Sequence, residues 1–198
     1  MKQQNNVTGV VLAGGLARRM NKQDKGLILY HNKPLVSYAL NALSEVAEKV
    51  YINANRNLNE YNQFEYEVIS DKTDSFDGPL AGILSAMSQA STEILLVIPC
   101  DSPLIKAEHL EKLLIAINKE ESEIAVGYDG QRIQPVFLAL KTSLKNSLNN
   151  YLVEGNRKIV VWLQQHQLTQ VDFSQNTEIF LNINTMTELN ALEKSKDE

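Results

Sequence analysis

Residues 94–98, Ile-Leu-Leu-Val-Ile, are five consecutive apolar side chains that stop at Pro99-Cys100-Asp101-Ser102-Pro103. Side chains on a strand alternate between faces, so a strand apolar at every position needs cover on both. This run therefore belongs at the centre of a sheet with helices packed on either side. The remaining chain supplies those layers by alternating short apolar runs with stretches of helical period, the pattern of a layered α/β domain with a largely parallel sheet.

A first strand is expected over residues 7–13, ending in Gly14 and Gly15. Pro34 is expected at the first position of a helix whose stripe is Leu35, Tyr38, Ala42 and Val46. Strands follow at 49–54 and 67–70, then a helix carried by Leu80, Ile83, Leu84 and Met87 behind Gly78-Pro79. Beyond the central strand come a helix through Leu110, Leu113, Leu114 and Ile117 and strands at 123–128 and 134–140. Asp129 and Gly130 turn between those two strands, close enough to make them antiparallel. The last third is expected to hold a helix through Leu144, Leu148 and Leu152, a break at Gly155, a helix over 158–165, and a strand over 179–183. Thr185 and Glu188 have the spacing of a capping box for a final short helix with a frayed tail.

No repeat or linker interrupts the 198 residues, and one domain of ordinary size accounts for them. The net charge of −5 argues against nucleic acid or an acidic membrane as partner. The single cysteine excludes an internal disulfide, and the polar start over residues 1–6 lacks an apolar signal core, so a cytoplasmic address is expected. Cys100 is expected as a small buried filler, His31, His109 and His166 show no metal-ligand spacing, and Trp162 belongs to the core.

Ligands of open α/β sheets bind beyond the carboxyl ends of the strands, so the residues just after each run carry the chemistry. Gly14 and Gly15 allow successive backbone amides to face one concavity that holds an anion. Four basic residues against one acid between Ala17 and Lys25 make that segment cationic within an acidic protein, and Arg19 and Lys25 suit a polyphosphate. Neither the Walker A order nor Gly-x-Gly-x-x-Gly is present. Asp101 fits a Mg²⁺ ligand, since this ion often takes one or two protein carboxylates, and equally fits the cap of the next turn. Asn53 and Asp71 suit the donors of a guanine, and are also ordinary turn starters. Asn182 and Asn184, two apart on the expected strand, share a face suited to a pterin, or satisfy strand-end backbone groups. Arg157 and Lys158, near a helix start after Gly155, suit an anionic ligand or form a solvated face.

In combination, Leu12-Ala13-Gly14-Gly15, Arg18-Arg19-Met20, Asp24-Lys25-Gly26, Gly78-Pro79-Leu80-Ala81-Gly82, Pro99-Cys100-Asp101-Ser102-Pro103 and Asn182-Ile183-Asn184-Thr185 resemble the molybdenum cofactor guanylyltransferase family. The likeness spans about residues 7–192 in matching order. Asn21 and Met186 depart from it, standing where the family has glycine and a frequent proline. The resemblance implies a three-layer Rossmann-like nucleotidyltransferase fold, mainly parallel, with helices on both faces. It implies one domain over 1–198 whose N-terminal part takes GTP and whose C-terminal third takes molybdopterin. It further implies transfer of GMP from GTP to the molybdopterin phosphate, with pyrophosphate released and Mg²⁺ as cofactor.

By position, Leu12, Ala13, Gly14, Gly15, Lys25, Asn53, Asp71, Gly78 and Asp101 would hold GTP, and Arg19, Lys25 and Asp101 would serve catalysis. Asp101 would hold the metal; Arg157, Lys158, Asn182 and Asn184 are assigned to molybdopterin. Other cofactor-biosynthesis proteins and molybdoenzyme chaperones are partners compatible with that role. Two other functions fit the glycine loop: a sister enzyme using CTP or a sugar phosphate, and a GTP-binding regulatory module without turnover.

Overall fold

The structure is a computed structural model that describes residues 6–13, 24–71, 78–119, 122–181 and 183. Its strands are β1 (Val7–Leu12), β2 (Leu29–Tyr30), β3 (Lys33–Pro34), β4 (Lys49–Asn53), β5 (Glu67–Ile69), β6 (Ile94–Pro99), β7 (Ile124–Tyr128), β8 (Ile133–Lys141) and β9 (Leu168–Asp172). Its helices are α1 (Leu35–Val46), α2 (Leu58–Tyr61), α3 (Pro79–Gln89), α4 (Ala107–Lys119), α5 (Lys145–Val153) and α6 (Ile159–Leu163).

Among the described residues the main sheet has seven strands in the order β5-β4-β1-β6-β8-β7-β9, and only β8 runs against the others. The continuous apolar run is the central strand, as its composition requires. Ile94, Leu96 and Ile98 join the core under α1 and α4, while Leu95 and Val97 join the core under α3, α5 and α6. Truncating either leucine to alanine would cost about 2–5 kcal/mol, because both lie at the waist of a core.

Three expectations change. The C-terminal strand lies at β9, and the segment expected to pair over 179–183 begins as a 3₁₀ turn, Thr177–Phe180. Ile179 and Phe180 leave the sheet to meet the core under α1 and α4, where Phe180 stacks edge-on against Phe137 and Phe173. Pro34 is the residue before α1 and not its first, because it pairs with Leu29 in a small hairpin while the Leu35 amide donates to Ile28. The helix expected over 158–165 is shorter, and ends in turns whose amides bond back to Val160, Trp162 and Leu163. Trp162 is fully buried, as expected. The capping box at Thr185 and Glu188 lies outside the described residues, together with Arg18, Met20, Asn21 and Met186.

Four parallel strands finish flush. Leu12 pairs with Asn53 on one side and Pro99 on the other, and Asn53 pairs in turn with Ile69. The backbone continues this row one step further through Ala13 N–H to Asn53 O at 2.8 Å and Ala54 N–H to Ile69 O at 3.0 Å.

Candidate active site

In an open α/β sheet the ligand crevice lies beyond such a row. At one end Asp101 follows β6, and its Oδ2 accepts from Lys25 Nζ at 3.0 Å. The Asp101 side chain is 9% exposed and that of Lys25 21%, so the pair meets at the edge of solvent with two charges largely withdrawn from it. Opposite charges at that separation hold each other where bulk screening is weak. Lys25 opens a 3₁₀ turn, Lys25–Leu27, capped by Asp24, whose side chain accepts from the Gly26 amide.

At the other end Asn53 Nδ2 donates to Asp71 Oδ1 at 2.9 Å, and Asn55 Nδ2 donates to Asp71 Oδ2 at 2.8 Å. The Asp71 amide returns a bond to Asn55 Oδ1 at 2.8 Å, so one carboxylate is oriented by two amides and its own backbone. Asn53 is buried against α3, where a Cβ on Gly82 would run into its Oδ1. Only glycine lets this helix approach the amide so closely. Gly78 precedes α3 at φ 71, a conformation that favours glycine, and Pro79 takes the first helical position.

Lys25, Asn53, Asp71, Gly78 and Asp101, expected from the sequence to share a site, thus lie along one edge with Leu12 and Ala13. Gly14, Gly15, Arg19, Asn182 and Asn184 lie outside the described residues. Ile183, between the two asparagines, donates its amide to Asp101 O at 3.2 Å and packs with Ile28, Tyr30 and Leu35. The strand on which Asn182 and Asn184 were expected begins instead as the 3₁₀ turn already described.

Arg157 and Lys158 sit in the turn between α5 and α6. Ser147 near the start of α5 contacts Trp162 and His166, while Tyr151 near its end donates to Lys158 O, so the two helices are antiparallel. The chain after α6 enters β9 beside Glu123, at the amino edge of the sheet, which leaves the Arg157 turn toward the carboxyl side. The Arg157 guanidinium donates to Leu152 O and Asn156 O, both at 2.7 Å, as a cation does at a helix C-terminus.

Sequence reasoning missed Asn55 and the partners of Asp24. Asp24 counted only as the lone acid of a basic segment and as a member of the Asp24-Lys25-Gly26 motif, yet its side chain is 1% exposed and gathers Tyr61, Arg56 and Asn57. The available signal was the polar run Asn53-Ala54-Asn55-Arg56-Asn57 directly behind a buried strand. Burial, with lesser contributions from the Asp101 and Asp24 carboxylates, pushes the Cys100 thiol well above its ordinary value. Cys100 therefore stays a neutral filler beneath Asp101 and is no nucleophile.

The model of the MobA-like NTP transferase domain family matches residues 9–171. A molybdenum cofactor guanylyltransferase of Shewanella loihica is 42% identical over 179 residues, covering 90% of this chain and 91% of the relative. The protein of that name from Shewanella halifaxensis is 43% identical, covering 90% of each. The crystal structure of a molybdopterin-guanine dinucleotide biosynthesis protein A from Archaeoglobus fulgidus aligns with a TM-score of 0.80 at 23% identity, over 96% of this chain and 98% of that one. At that identity the likeness is one of fold.

Proposed function

The chain belongs to the MobA-like NTP transferase family, and from that premise we propose that it transfers GMP from GTP to the terminal phosphate of molybdopterin. An oxygen of the molybdopterin phosphate attacks the α-phosphorus of GTP, the bond from that phosphorus to the β-bridging oxygen breaks, and pyrophosphate leaves with the electron pair. The product is molybdopterin guanine dinucleotide. No protein nucleophile is required, so the task of the site is alignment and charge compensation.

The observation that carries this reading is the placement of Lys25–Asp101 and Asn53–Asp71 at opposite ends of one flush strand edge. Lys25 and Arg19 compensate the charge that develops on pyrophosphate, Leu12, Ala13, Gly14 and Gly15 present backbone to the nucleotide, and Gly78 starts the helix beside it. Asn53 and Asp71 serve the nucleoside. Asp101 fits a divalent cation: it is a single carboxylate at a strand end beside a phosphate-seeking lysine, and Mg²⁺ can fill its remaining positions with phosphate and water. Bound there, Mg²⁺ would supply charge neutralisation at the phosphate oxygens.

We assign molybdopterin to the C-terminal third, through Arg157, Lys158, Asn182 and Asn184, within one domain over residues 1–198. The hydrogen bond from the Ile183 N–H to Asp101 O supports this, since it brings the chain between the two asparagines beside Asp101. A cytoplasmic address belongs to the same reading, supported by the free buried thiol of Cys100. Among the described residues no helix is long and apolar enough to cross a membrane.

Pyrophosphate release measured with GTP, ATP and CTP, with and without molybdopterin, tests the reaction. Release is expected with GTP and only when molybdopterin is present. Preference for CTP would assign the chain to a sister activity, and GTP binding without release would make it a regulatory module. Asn182→Ala and Arg157→Ala are expected to weaken molybdopterin use while GTP affinity stays within about twofold, a difference under ~0.5 kcal/mol. Equal losses for both ligands would return these residues to a purely structural role.

A further inference from the structure

Asp24 is a carboxylate almost wholly removed from water, and the fold surrounds it with donors from two separate segments. Oδ1 accepts from Tyr61 Oη at 2.6 Å and from the Gly26 amide at 3.2 Å. Oδ2 accepts from Asn57 Nδ2 at 3.0 Å and Arg56 Nε at 3.3 Å. Burying a charge is costly unless it is paired and hydrogen-bonded, and here both oxygens are engaged. Tyr61 is a dependable donor, because burial, the neighbouring Cys100 and the bond to Asp24 keep its hydroxyl protonated far beyond the ordinary tyrosine range.

The geometry has two consequences. Asp24 caps the short turn that Lys25 opens, so the origin of the Lys25 side chain is fixed by a buried anchor before its amine reaches Asp101. Arg56 and Asn57, which grip Asp24, follow directly on Asn53 and Asn55, which grip Asp71. A single stretch, residues 53–57, therefore holds Asp71 at one end of the crevice and, through Asp24, the buried anchor of the Lys25 turn. Plain stabilisation would require a partner for Asp24, but not one next in sequence to the amides that orient Asp71.

We propose that Asp24 is a positioning residue for the transfer, acting through Lys25. This rests on the transferase reading above. The Asp24→Asn variant keeps the size of the side chain and deletes its charge. With pyrophosphate release as the readout, kcat is expected to fall about tenfold or more while KM for GTP stays within about threefold, as for lost alignment. In a Lys25→Met background the same change should cost less than about twofold, because the group it positions is gone.

Competitive acylation of lysine amines by acetic anhydride, read by peptide mass spectrometry on the ligand-free protein, gives a measure independent of any reaction. Lys25 should label several-fold faster in Asp24→Asn than in the parent. Unchanged labelling in a folded variant, or losses that multiply in the double variant, would overturn the proposal. If Asp24→Asn does not fold, Asn57→Gly removes one donor at a residue with φ 51, which glycine adopts freely. It should label Lys25 faster and lose about threefold in kcat, again absent beside Lys25→Met, and no change in either would equally overturn the proposal. If the parent turns over CTP in place of GTP, the substrate assignment fails, while the labelling result and the coupling measured with CTP still decide the role of Asp24.

Discussion

The two edges of the sheet are built from similar side chains and use them differently. At the amino edge Ser147 Oγ meets His166 Nε2 at 3.1 Å, and His166 Nδ1 faces Glu123 Oε2 at 3.5 Å, the residue types of a hydrolytic triad. Trp162 Nε1 also donates to Ser147, and the Gln167 amide to Glu123, so each member is tied to the helix or strand beside it. Thr8 with Thr92, and Ser122 with Thr169, close the same edge as hydroxyl pairs. At the carboxyl edge the polar groups come from the ends of three strands, Asn53 on β4, Asp71 after β5 and Asp101 after β6, with Lys25 joining Asp101. Polar satisfaction alone does not mark a site, and the candidate edge differs in drawing its side chains from the ends of separate parallel strands.

The largest effect that would sharpen the contrast is at Asp101. Asp101→Asn should melt cooperatively near the parent temperature and lose about a hundredfold or more in GMP transfer at physiological Mg²⁺, measured by pyrophosphate release. Near-normal turnover would reduce Asp101 to a turn cap and make the two edges alike. Next comes Gly82→Ala, whose new methyl would displace the Asn53 amide and raise KM for GTP about tenfold, seen in initial rates. A smaller change is expected at the opposite edge: Ser147→Ala should cost about 1 kcal/mol in chemical denaturation and leave transfer within about twofold. Loss of transfer there would break the distinction.

The smallest effect is a pH dependence from beneath the site. The folded protein holds the Cys100 and Tyr61 protons above their ordinary values of 9.0 and 10.0, so the unfolded chain releases them first. Below about pH 9 both states keep these protons and nothing is lost; above it, stability falls as pH rises. Melting temperatures recorded from pH 7 to 10.5 should decline later in Cys100→Ala than in the parent, and coincident curves would remove the thiol from this account.

The central strand and the positions of Asn53, Asp71 and Asp101 at the ends of β4, β5 and β6 were legible because burial on two faces leaves an uninterrupted apolar run that stops at the carboxyl edge. The β7–β8 hairpin was legible from Asp129 and Gly130, and the Asp129 carboxylate does accept the amides of Gln131 and Arg132. Strand β9 was not. Leu168 and Val171 are three apart, so the strand lacks the alternation of a half-buried edge, whereas the apolar Ile179-Phe180-Leu181 imitates one. Its aromatic member is recruited by Phe137 and Phe173, partners that sequence order does not reveal. Asp24 was obscured likewise: Lys25 beside it advertises charge, while its partners at 56, 57 and 61 reach it only after the chain has traversed α1 and β4.

The flush row Ile69, Asn53, Leu12 and Pro99 also acts as a gauge of length. Three inter-strand steps separate its ends, about 14 Å at the ordinary spacing of neighbouring strands. A molecule that grips Asp71 and Asp101 together must be long enough to bridge that interval, so a free base or a lone pyrophosphate can hold only one end. Under the proposed function, selection by reach would precede selection by hydrogen bonding, and fragments on either side of a broken phosphate linkage would each keep only one end of that grip.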